Sequence, residues 1–294
     1  MTNLHRPRRS VLYMPGANTR ALEKAKSLAA DALIFDLEDA VAPEAKAEAR
    51  ENVCNAVRDG GYGKREICIR MNGLDTEWGL DDLKAAVAAG PDAILAPKVV
   101  SGDDIRKLDA EMTAAGASPD MQLWVMIEMP LAILNIQDIA TAAKDTRLTL
   151  FVMGTNDLAK ELRASAKPDR QVAFGTSLSM AMLAARAFDI VAIDGVWNDI
   201  KDEAGLRDEC EEGAAMGFYG KTLIHPSQLD ITNQVFAPSP AEVEHAIDVI
   251  KAFADPENAG KGVLKVNGKM TELLHLAEAN RIVAVSEAIQ AMES

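Results

Sequence analysis

The stretch FVMGTNDLAK, residues 151–160, reads as a buried strand that ends abruptly and is followed at once by a helix. Three apolar residues lead into Gly-Thr-Asn-Asp, and the following Leu-Ala-Lys favours a helix. Asn156 or Asp157 could simply cap that helix, because a side-chain oxygen accepts the free backbone N–H groups of a first turn. A carboxylate at the end of a buried strand is also a candidate for function, and the rest of the chain decides between the two.

The same strand-to-helix unit occurs eight times along the chain. Continuous apolar strands that alternate with alanine-rich amphipathic helices indicate a parallel sheet covered on its faces. Eight units in about 230 residues match a (β/α)8 TIM barrel, which typically takes ~250 residues. A doubly wound open sheet is the alternative, but it usually carries G-x-G-x-x-G after its first strand, and YMPGAN lacks that pattern. The predicted strands are SVLYMPG (10–16), ALIFDLED (32–39), EICIRMNG (66–73), AILAPKVV (93–100), LWVMIEMP (123–130), TLFVMGTND (149–157), IVAIDGVW (190–197) and KTLIHPSQ (221–228).

The pattern changes beyond the eighth predicted strand. PSPAEVEHAIDVIKAFADPENAGKG predicts a helix followed by a break rich in Pro, Asn and Gly. KVNGKMTELLHLAEANRIVAVSEAIQAM then predicts a turn and a long helix. We therefore predict a barrel domain over residues 1–238 and a C-terminal helical extension over residues 239–294, which is larger than barrel closure requires.

Composition and charge exclude several classes of protein. The chain has 294 residues, is 48% hydrophobic and carries a net charge of −14, which suits a globular domain and argues against nucleic acid as a partner. No apolar run approaches the ~20 residues needed to span a bilayer. The N-terminus MTNLHRPRRS lacks the apolar segment of a signal peptide, so we expect a cytoplasmic protein that does not bind membranes. Cys54, Cys68 and Cys210 have no metal-binding spacing and are expected to be buried, reduced thiols.

Polar side chains stand at the carboxyl ends of the predicted strands, where barrel enzymes place their chemistry. Helix capping would favour Ser, Thr, Asp and Asn rather than Arg, Lys and Glu. We therefore expect these side chains to converge on one mouth of the barrel. In chain order they are Asp36, Glu38, Asp39, Arg70, Asn72, Lys98, Glu128, Asp157, Asp194 and His225.

Glu128 is the most informative of these residues. It directly follows Trp-Val-Met-Ile in a buried strand, and an unpaired buried carboxylate is costly, so it should meet a cation. With Asp157 on the adjacent strand, two hard oxygen ligands would face one point, and Mg²⁺ commonly uses one or two carboxylates together with water and substrate oxygens. The alternative is a structural ion pair between Glu128 and Arg70. The scattered histidines and the absence of G-x-S-x-G support neither a zinc site nor a Ser-His-Asp triad.

Six segments together resemble the citrate lyase β-subunit-like family of the HpcH/HpaI aldolase superfamily. They are SVLYMPG, FDLEDAVAPEAKAEAR, IRMNG, the glutamate of IEMP, GTNDL and KTLIHPSQL, and the resemblance keeps its order from about residue 8 to about residue 292. Within this family the chain most resembles the malyl-CoA lyase and (3S)-malyl-CoA thioesterase branch. The phrases NGLDTEWG, VMGTNDLAKEL and DECEEGAAMGF resemble the thioesterase members in particular.

The resemblance implies a Mg²⁺-dependent enzyme that acts on an acyl-CoA substrate, with Mn²⁺ as an alternative metal. Glu128 and Asp157 match the family's metal ligands, and Arg70 matches the arginine that stabilises the substrate's oxygen at the metal. Asp36 and Glu38 match the acidic strand end beside the water shell of the metal. The positions that match or lie near the family's coenzyme A cleft are Tyr13, Arg20, Lys24 and Lys98.

The resemblance also implies a homotrimer or hexamer in which the C-terminal extension is a lid over a neighbour's active site. The lyases carry an aspartate acid/base in this lid, whereas this chain has Glu272 in NGKMTELLH. An extra methylene moves a carboxylate by about 1 Å, and such a displacement can cost ~100-fold in rate, so carbon–carbon cleavage is disfavoured. We predict hydrolysis of a (3S)-malyl-CoA-type thioester to malate and CoA. The alternatives are a lyase for malyl-, methylmalyl- or citramalyl-CoA and a citrate lyase β-type subunit.

Overall fold

The computed structural model of the protein describes residues 6–165 and 169–293. Its parallel strands are β1 (Ser10–Pro15), β2 (Ala32–Asp36), β3 (Glu66–Arg70), β4 (Ala93–Ala96), β5 (Gln122–Ile127), β6 (Leu148–Met153), β7 (Val191–Ile193) and β8 (Lys221–Leu223). They form one sheet in the order β7-β6-β5-β4-β3-β2-β1-β8. The sheet closes because Asp194 bridges Lys221 and accepts a hydrogen bond from the Thr222 backbone N–H at 2.9 Å. The predicted barrel is confirmed, and the open sheet is wrong.

Helices follow the strands and cover the outside of the barrel. All eight predicted strands are present, but each ends earlier than predicted because its terminal polar residues turn into the loops. These helices are α1 (Thr19–Ala25), α2 (Lys46–Asp59), α3 (Gly79–Ala89), α4 (Gly102–Ala114), α5 (Pro130–Leu134), α6 (Ile136–Thr141), α7 (Thr155–Glu161), α8 (Arg170–Ala187), α9 (Glu203–Met216) and α10 (Leu229–Val235). No helix among the described residues is long and apolar enough to cross a membrane. The three cysteines are free and buried, as predicted.

Side chains alternate between the two faces of the barrel wall, because successive residues of a strand point to opposite sides. Leu12 and Phe35 belong to a large apolar cluster that the covering helices share. The residues that alternate with them along the strands, such as Tyr13 and Asp36, point to the inside of the barrel, where both contact Arg70. At the amino end of the barrel, the buried Arg8 donates to Glu66 at 2.8 Å and lies 5.5 Å from the ring centre of Trp124. This pair fills the amino end, so the candidate site belongs to the carboxyl end.

A second compact unit contains residues 237–293 with residues 6 and 7, whereas the barrel unit is Arg8–Phe236. Its elements are α11 (Pro240–Ala254), β9 (Val263–Val266), β10 (Lys269–Glu272) and α12 (Leu273–Glu293). Both C-terminal helices were predicted, but the antiparallel hairpin of β9 and β10 was not. Its turn is Asn267-Gly268, with φ of 48° and 81°. Asn-Gly is a strong hairpin signal, because both central residues of this turn type need positive φ.

Candidate active site

Arg70 is held by carboxylates at the carboxyl end of β2. Asp36 and Arg70 are register partners at the ends of β2 and β3, and the guanidinium donates to both Asp36 oxygens, at 2.7 and 2.6 Å. Its Nη1 also lies 2.8 Å from Glu38 Oε2 in an ion pair without hydrogen-bond geometry, and 3.5 Å from Asp39. Burial alone would lower the pKa of Arg70, but the charges of Asp36, Tyr13 and Glu38 and the hydrogen bonds to Asp36 together outweigh it and raise the pKa well above its ordinary value. Arg70 is therefore a fixed cation in a bidentate pair.

The turn after β2 is shaped around the Asp36 carboxylate. Asp36 accepts the backbone N–H groups of Glu38, at 2.9 Å, and Ala40, at 3.1 Å. Lys46, the first residue of α2, is buried and donates its ammonium group to the carbonyl oxygens of Leu37, at 3.0 Å, and Glu38, at 2.9 Å. Lys46 thus fixes the backbone turn that carries Asp36 and Glu38, the carboxylates that pair with Arg70.

Sequence reasoning missed Lys46 by leaving it unassigned within the stretch DAVAPEAK. A signal was available, because a cation at the first position of a helix opposes the helix dipole. Burial lowers the pKa of the Lys46 ammonium, which lies 5.1 Å from the ring centre of Trp78. Because burial and the helix dipole both disfavour a charged Lys46, this residue is a candidate for holding the turn after β2 in place.

Tyr13 and Met126 contact Arg70 inside the barrel, from β1 and β5. The guanidinium carbon of Arg70 lies 4.9 Å from the centre of the Tyr13 ring, a cation–π geometry. The Met126 sulfur lies 3.5 Å from Arg70 Nη1 and 3.9 Å from the Tyr13 hydroxyl. These contacts place Tyr13 beside Arg70, at the centre of the mouth.

Glu128 follows β5 and is fully buried. Its Oε1 accepts the backbone N–H of Lys98 at 2.8 Å, whereas its Oε2 has no hydrogen-bond partner among the described residues. Burial raises the pKa of Glu128 to about 8, and the charge of Glu38 adds to the shift. The alternative reading as a structural partner of Arg70 is not supported, because the ion pairs of Arg70 are with Asp36, Glu38 and Asp39. A buried carboxylate oxygen without a partner is costly, and a cation would satisfy it.

Gly154 leaves the space that the Glu128 carboxylate occupies. A Cβ atom at Gly154 would lie 2.6 Å from Glu128 Oε2, too close for any real contact. The Gly154 backbone N–H donates to the Ile127 carbonyl at 3.1 Å, so the ends of β5 and β6 are joined at this point. Glycine is therefore needed here for space rather than for its backbone conformation.

Asp157 lies in the first turn of α7, three residues beyond Gly154, and is half-buried. Its charge is one of the influences that raise the pKa of Glu128, so the two carboxylates are near each other. The described residues hold no cluster of three or more His, Cys, Asp or Glu that could bind a metal. A site of two carboxylates still fits Mg²⁺, which completes its octahedron with water and substrate oxygens.

The charge balance around the mouth also favours a divalent cation. When all are ionised, the carboxylates outnumber the cations by two. The carboxylates are Asp36, Glu38, Asp39, Glu128 and Asp157, and the cations are Lys46, Arg70 and Lys98. The orphaned Glu128 oxygen, the space at Gly154 and this excess charge together fit a Mg²⁺ ion held by Glu128 and Asp157.

Replacing Gly154 by alanine should displace the Glu128 carboxylate and weaken Mg²⁺ binding at least ~10-fold, since the added methyl group would overlap its oxygen. The measurement is the rise in Tm with Mg²⁺ concentration. Gly175→Ala in α8 is the matched control, because its Cβ would meet mainly the movable end of the Gln171 side chain. A Gly154→Ala protein that responds to Mg²⁺ like the unmodified protein would contradict this assignment.

Lys98 contacts both Glu128, a proposed metal ligand, and Glu38, which pairs with Arg70. Its backbone has a left-handed φ of 53°, its N–H donates to Glu128, and its ammonium lies 2.6 Å from Glu38. Its half-exposed side chain also lines a cavity of about 260 Å³ between the loops that follow β3 and β4. Lys107 lies at the same cavity.

Arg20 and Lys24 are exposed on α1 and form no ion pair among the described residues. Their spacing places them on one face of the helix that follows β1. They are not in the group around Arg70.

Glu272 belongs to the C-terminal unit, where it ends β10, is half-buried and donates its backbone N–H to His275 Nδ1 at 2.9 Å.

The expectation that all the strand-end residues converge on one mouth is wrong for three of them. Asp194 lies against the covering helices, where Lys221 donates to it at 3.0 Å and Arg170 of α8 at 2.9 Å. Asn72 donates its amide to Asp82 and to the Leu37 carbonyl. His225 is exposed and caps the turn Pro226–Gln228. These three side chains make hydrogen bonds with neighbouring polar groups. The hydrophobic pattern of the sequence and the spacing of the strands do not reveal such partners.

Comparisons with known proteins identify the family and several relatives of this chain. A family model described as HpcH/HpaI aldolase/citrate lyase matches residues 9–226. The (3S)-malyl-CoA thioesterase of Cereibacter sphaeroides is 50% identical over 291 residues, which cover 99% of this chain and 99% of that protein. Citrate lyase subunit beta of Escherichia coli is 37% identical over 276 residues, covering 91% of this chain and 89% of that protein. CitE of Mycobacterium tuberculosis, solved in complex with magnesium, acetoacetate and coenzyme A, has a TM-score of 0.73 at 28% identity, covering 95% of this chain and 97% of that chain.

Proposed function

The chain belongs to the HpcH/HpaI aldolase/citrate lyase family, and from that membership we propose that it is a Mg²⁺-dependent enzyme that hydrolyses a (3S)-malyl-CoA-type thioester to malate and CoA. The observation that carries this proposal is the 50% identity, over nearly the whole length of both chains, to a (3S)-malyl-CoA thioesterase. The alternative is carbon–carbon cleavage of malyl-, methylmalyl- or citramalyl-CoA, or a citrate lyase β-type role, which the 37% identity to a citrate lyase β subunit favours.

Glu128 and Asp157 would hold the metal. The orphaned Glu128 oxygen and the space at Gly154 support this role. The related CitE structure contains magnesium, and Mn²⁺ has a similar preference for oxygen ligands. When bound, the ion supplies a Lewis acid that polarises the oxygens of the substrate.

Arg70 would bind the substrate oxygen that gains negative charge. Asp36 takes two of its N–H groups and holds the guanidinium plane in one orientation, so the remaining N–H bonds point in fixed directions. Asp36 therefore serves Arg70, in addition to its predicted place beside the water shell of the metal. Fixed donors act without reorganisation when charge develops, which favours the transition state.

Coenzyme A would lie along the side of the mouth formed by β1, α1 and the loop after β4. Arg20 and Lys24 are exposed cations on one face of α1, which suits contact with phosphate groups. Lys98 lines the neighbouring cavity of about 260 Å³. The half-buried Tyr13 lies between this side and Arg70.

Glu272 would direct the attacking water, acting from the C-terminal unit of a neighbouring subunit. We place the protein in the cytoplasm as a homotrimer or hexamer, with the barrel in residues 1–238 and the lid in residues 239–294. Exposed Met270, Leu273 and Leu274 beside Glu272 support a lid that packs against another surface. A glutamate in place of the lyases' aspartate favours hydrolysis over cleavage.

The test of the function is an assay of purified protein with Mg²⁺ and (3S)-malyl-CoA, in which free thiol and glyoxylate are measured separately. Free thiol without glyoxylate supports hydrolysis. Glyoxylate with acetyl-CoA would overturn hydrolysis in favour of the lyase alternative. A carrier protein that copurifies in equal amount with the native protein would instead support the citrate lyase β-type role.

Replacing Glu272 by alanine should lower CoA release at least ~100-fold while the Mg²⁺-induced rise in Tm is unchanged, because the metal rests on Glu128 and Asp157. Glu272→Asp should expose some glyoxylate formation. The control is Glu278→Ala, an exposed residue of α12 whose carboxylate pairs with Arg281.

Hybrid oligomers test whether Glu272 acts in a neighbouring subunit. Mixing Glu272→Ala protomers with Arg70→Ala protomers should restore part of the activity, because some sites then combine an intact Arg70 with an intact Glu272. A mixture that stays inactive would contradict the shared site.

A further inference from the structure

We propose that the hydroxyl group of Tyr13 is a catalytic hydrogen-bond donor to the thioester carbonyl oxygen of the substrate. This inference rests on the proposed function and deepens it. It assigns to Tyr13 a role in the chemical step, in place of a contact with coenzyme A alone.

Among the described residues, the Tyr13 hydroxyl has only a weak hydrogen-bond acceptor. The hydrogen-bond partner of its O–H is the thioether sulfur of Met126, at 3.9 Å, a long contact to a weak acceptor. The residue is half-buried and lies beside Arg70, the proposed substrate-binding group. Such a hydroxyl gains a better acceptor whenever a charged oxygen arrives.

Arg70 fixes the position of the Tyr13 ring. The guanidinium stacks 4.9 Å from the ring centre and is itself held by both oxygens of Asp36. A ring that is held on one face presents its hydroxyl in a set direction, which is the condition for electrostatic preorganisation. Tyr13 also lies within electrostatic range of Asp36 and Glu128, so it is near both the arginine and the proposed metal ligand.

Tyr13 acts as a donor and not as a base. Burial raises the pKa of its phenol, and the charges of Asp36 and Glu128 add to this, so the O–H keeps its proton at any ordinary working pH. Arg70, in contrast, already gives N–H groups to Asp36 and lies against Glu38. Tyr13 therefore adds a neutral donor to the N–H groups that Arg70 keeps for the developing oxyanion.

Charge develops on the same oxygen in either reaction. In hydrolysis, a water oxygen bonds to the thioester carbon while the carbonyl π pair moves to its oxygen; the pair then returns, the C–S bond breaks, and the sulfur takes up the proton that the water lost. In cleavage, the 3-hydroxyl loses its proton and its oxygen becomes the carbonyl of the 2-oxo acid, while the electron pair of the broken C–C bond forms the enolate of the thioester, whose carbon then takes up a proton. Tyr13 hydrogen-bonds to that oxygen and keeps its own proton throughout.

The experiment compares Tyr13→Phe with the unmodified protein, measuring free thiol, glyoxylate, KM and Tm. Phenylalanine retains the ring over Arg70 and removes only the donor, so kcat should fall ~100-fold while KM and Tm stay close to their original values. Tyr219→Phe is the matched control. The Tyr219 ring centre lies 4.9 Å from the guanidinium carbon of Arg186, outside the site. Loss of the Tyr219 hydroxyl group should therefore leave kcat unchanged.

Met126→Leu separates the proposal from a structural role of the hydroxyl. Leucine conserves the side-chain volume and removes the sulfur acceptor, so it should cost much less activity than Tyr13→Phe. An equal loss in both variants, or an unchanged kcat in Tyr13→Phe, would overturn the proposal while leaving the function intact. Unmodified protein that forms neither product would overturn the proposed function and this inference with it.

Discussion

Glu128→Gln should lower kcat/KM at least ~1000-fold and abolish the rise in Tm that Mg²⁺ causes. The amide keeps the shape of the side chain but removes the charge that a hard cation needs, and Asp157 with water alone cannot fix an octahedral ion. Chelation by EDTA should have the same effect on the unmodified protein. The measurements are turnover of (3S)-malyl-CoA and thermal unfolding at increasing Mg²⁺ concentration.

The same substitution should raise the Tm of the metal-free protein at neutral pH. Burial raises the pKa of Glu128 from 4.5 to about 8, so the folded metal-free protein holds a proton that the unfolded chain releases. Stability contributed by this proton is complete below pH 4.5 and is lost as the pH rises to about 8. Glutamine cannot ionise, and the variant should therefore gain a few degrees in Tm, with the gain increasing across this pH range.

Glu51→Gln is the matched control, because Glu51 is exposed on α2 and lies outside the group around Arg70. It should change neither Tm nor the Mg²⁺ response. Full activity of the unmodified protein in excess chelator, or an undiminished Mg²⁺ response in Glu128→Gln, would refute the metal assignment.

Arg70→Lys should lower kcat/KM by ~100- to 1000-fold and leave the protein folded. Lysine keeps the positive charge among Asp36 and Glu38 but cannot make two parallel bonds to Asp36 or present a planar set of donors to the substrate. It also removes the plane that stacks on Tyr13. The measurements are kcat and KM of the two proteins, with Tm as the check that the variant is folded.

Arg9→Lys provides the control for geometry. Arg9 also forms a bidentate pair, with both oxygens of Asp31 at 2.9 Å, at the amino end of the barrel. Its replacement should lower Tm without lowering kcat. If Arg70→Lys keeps the original kcat/KM, Arg70 is a structural ion-pair partner and not a substrate-binding group.

The fold and many of the candidate residues follow from the amino-acid sequence. Eight continuous apolar strands alternating with amphipathic helices specify a parallel sheet, because each strand must be buried on both faces, and the number of units favours a closed barrel. The sequence also indicated that Glu128 needs a cation, since a carboxylate directly after a buried strand cannot remain unpaired without cost. Asn267-Gly268 is a hairpin signal, but the two strands beside it were not predicted, and only a turn before a helix was expected there.

The partner of each polar side chain depends on contacts between strands and helices that are distant in the sequence. Arg70 could have paired with Glu128 or with the turn after β2, and the register of β2 and β3 placed it against Asp36. Asp36 is the last residue of β2 and Asp194 directly follows β7, yet Asp194 pairs with Arg170 of α8, because successive side chains point to opposite faces of the wall. The local sequence determines which side chains point to each face of the barrel wall. Closure of the barrel determines the distances between side chains of different strands, and ionic contacts depend on those distances.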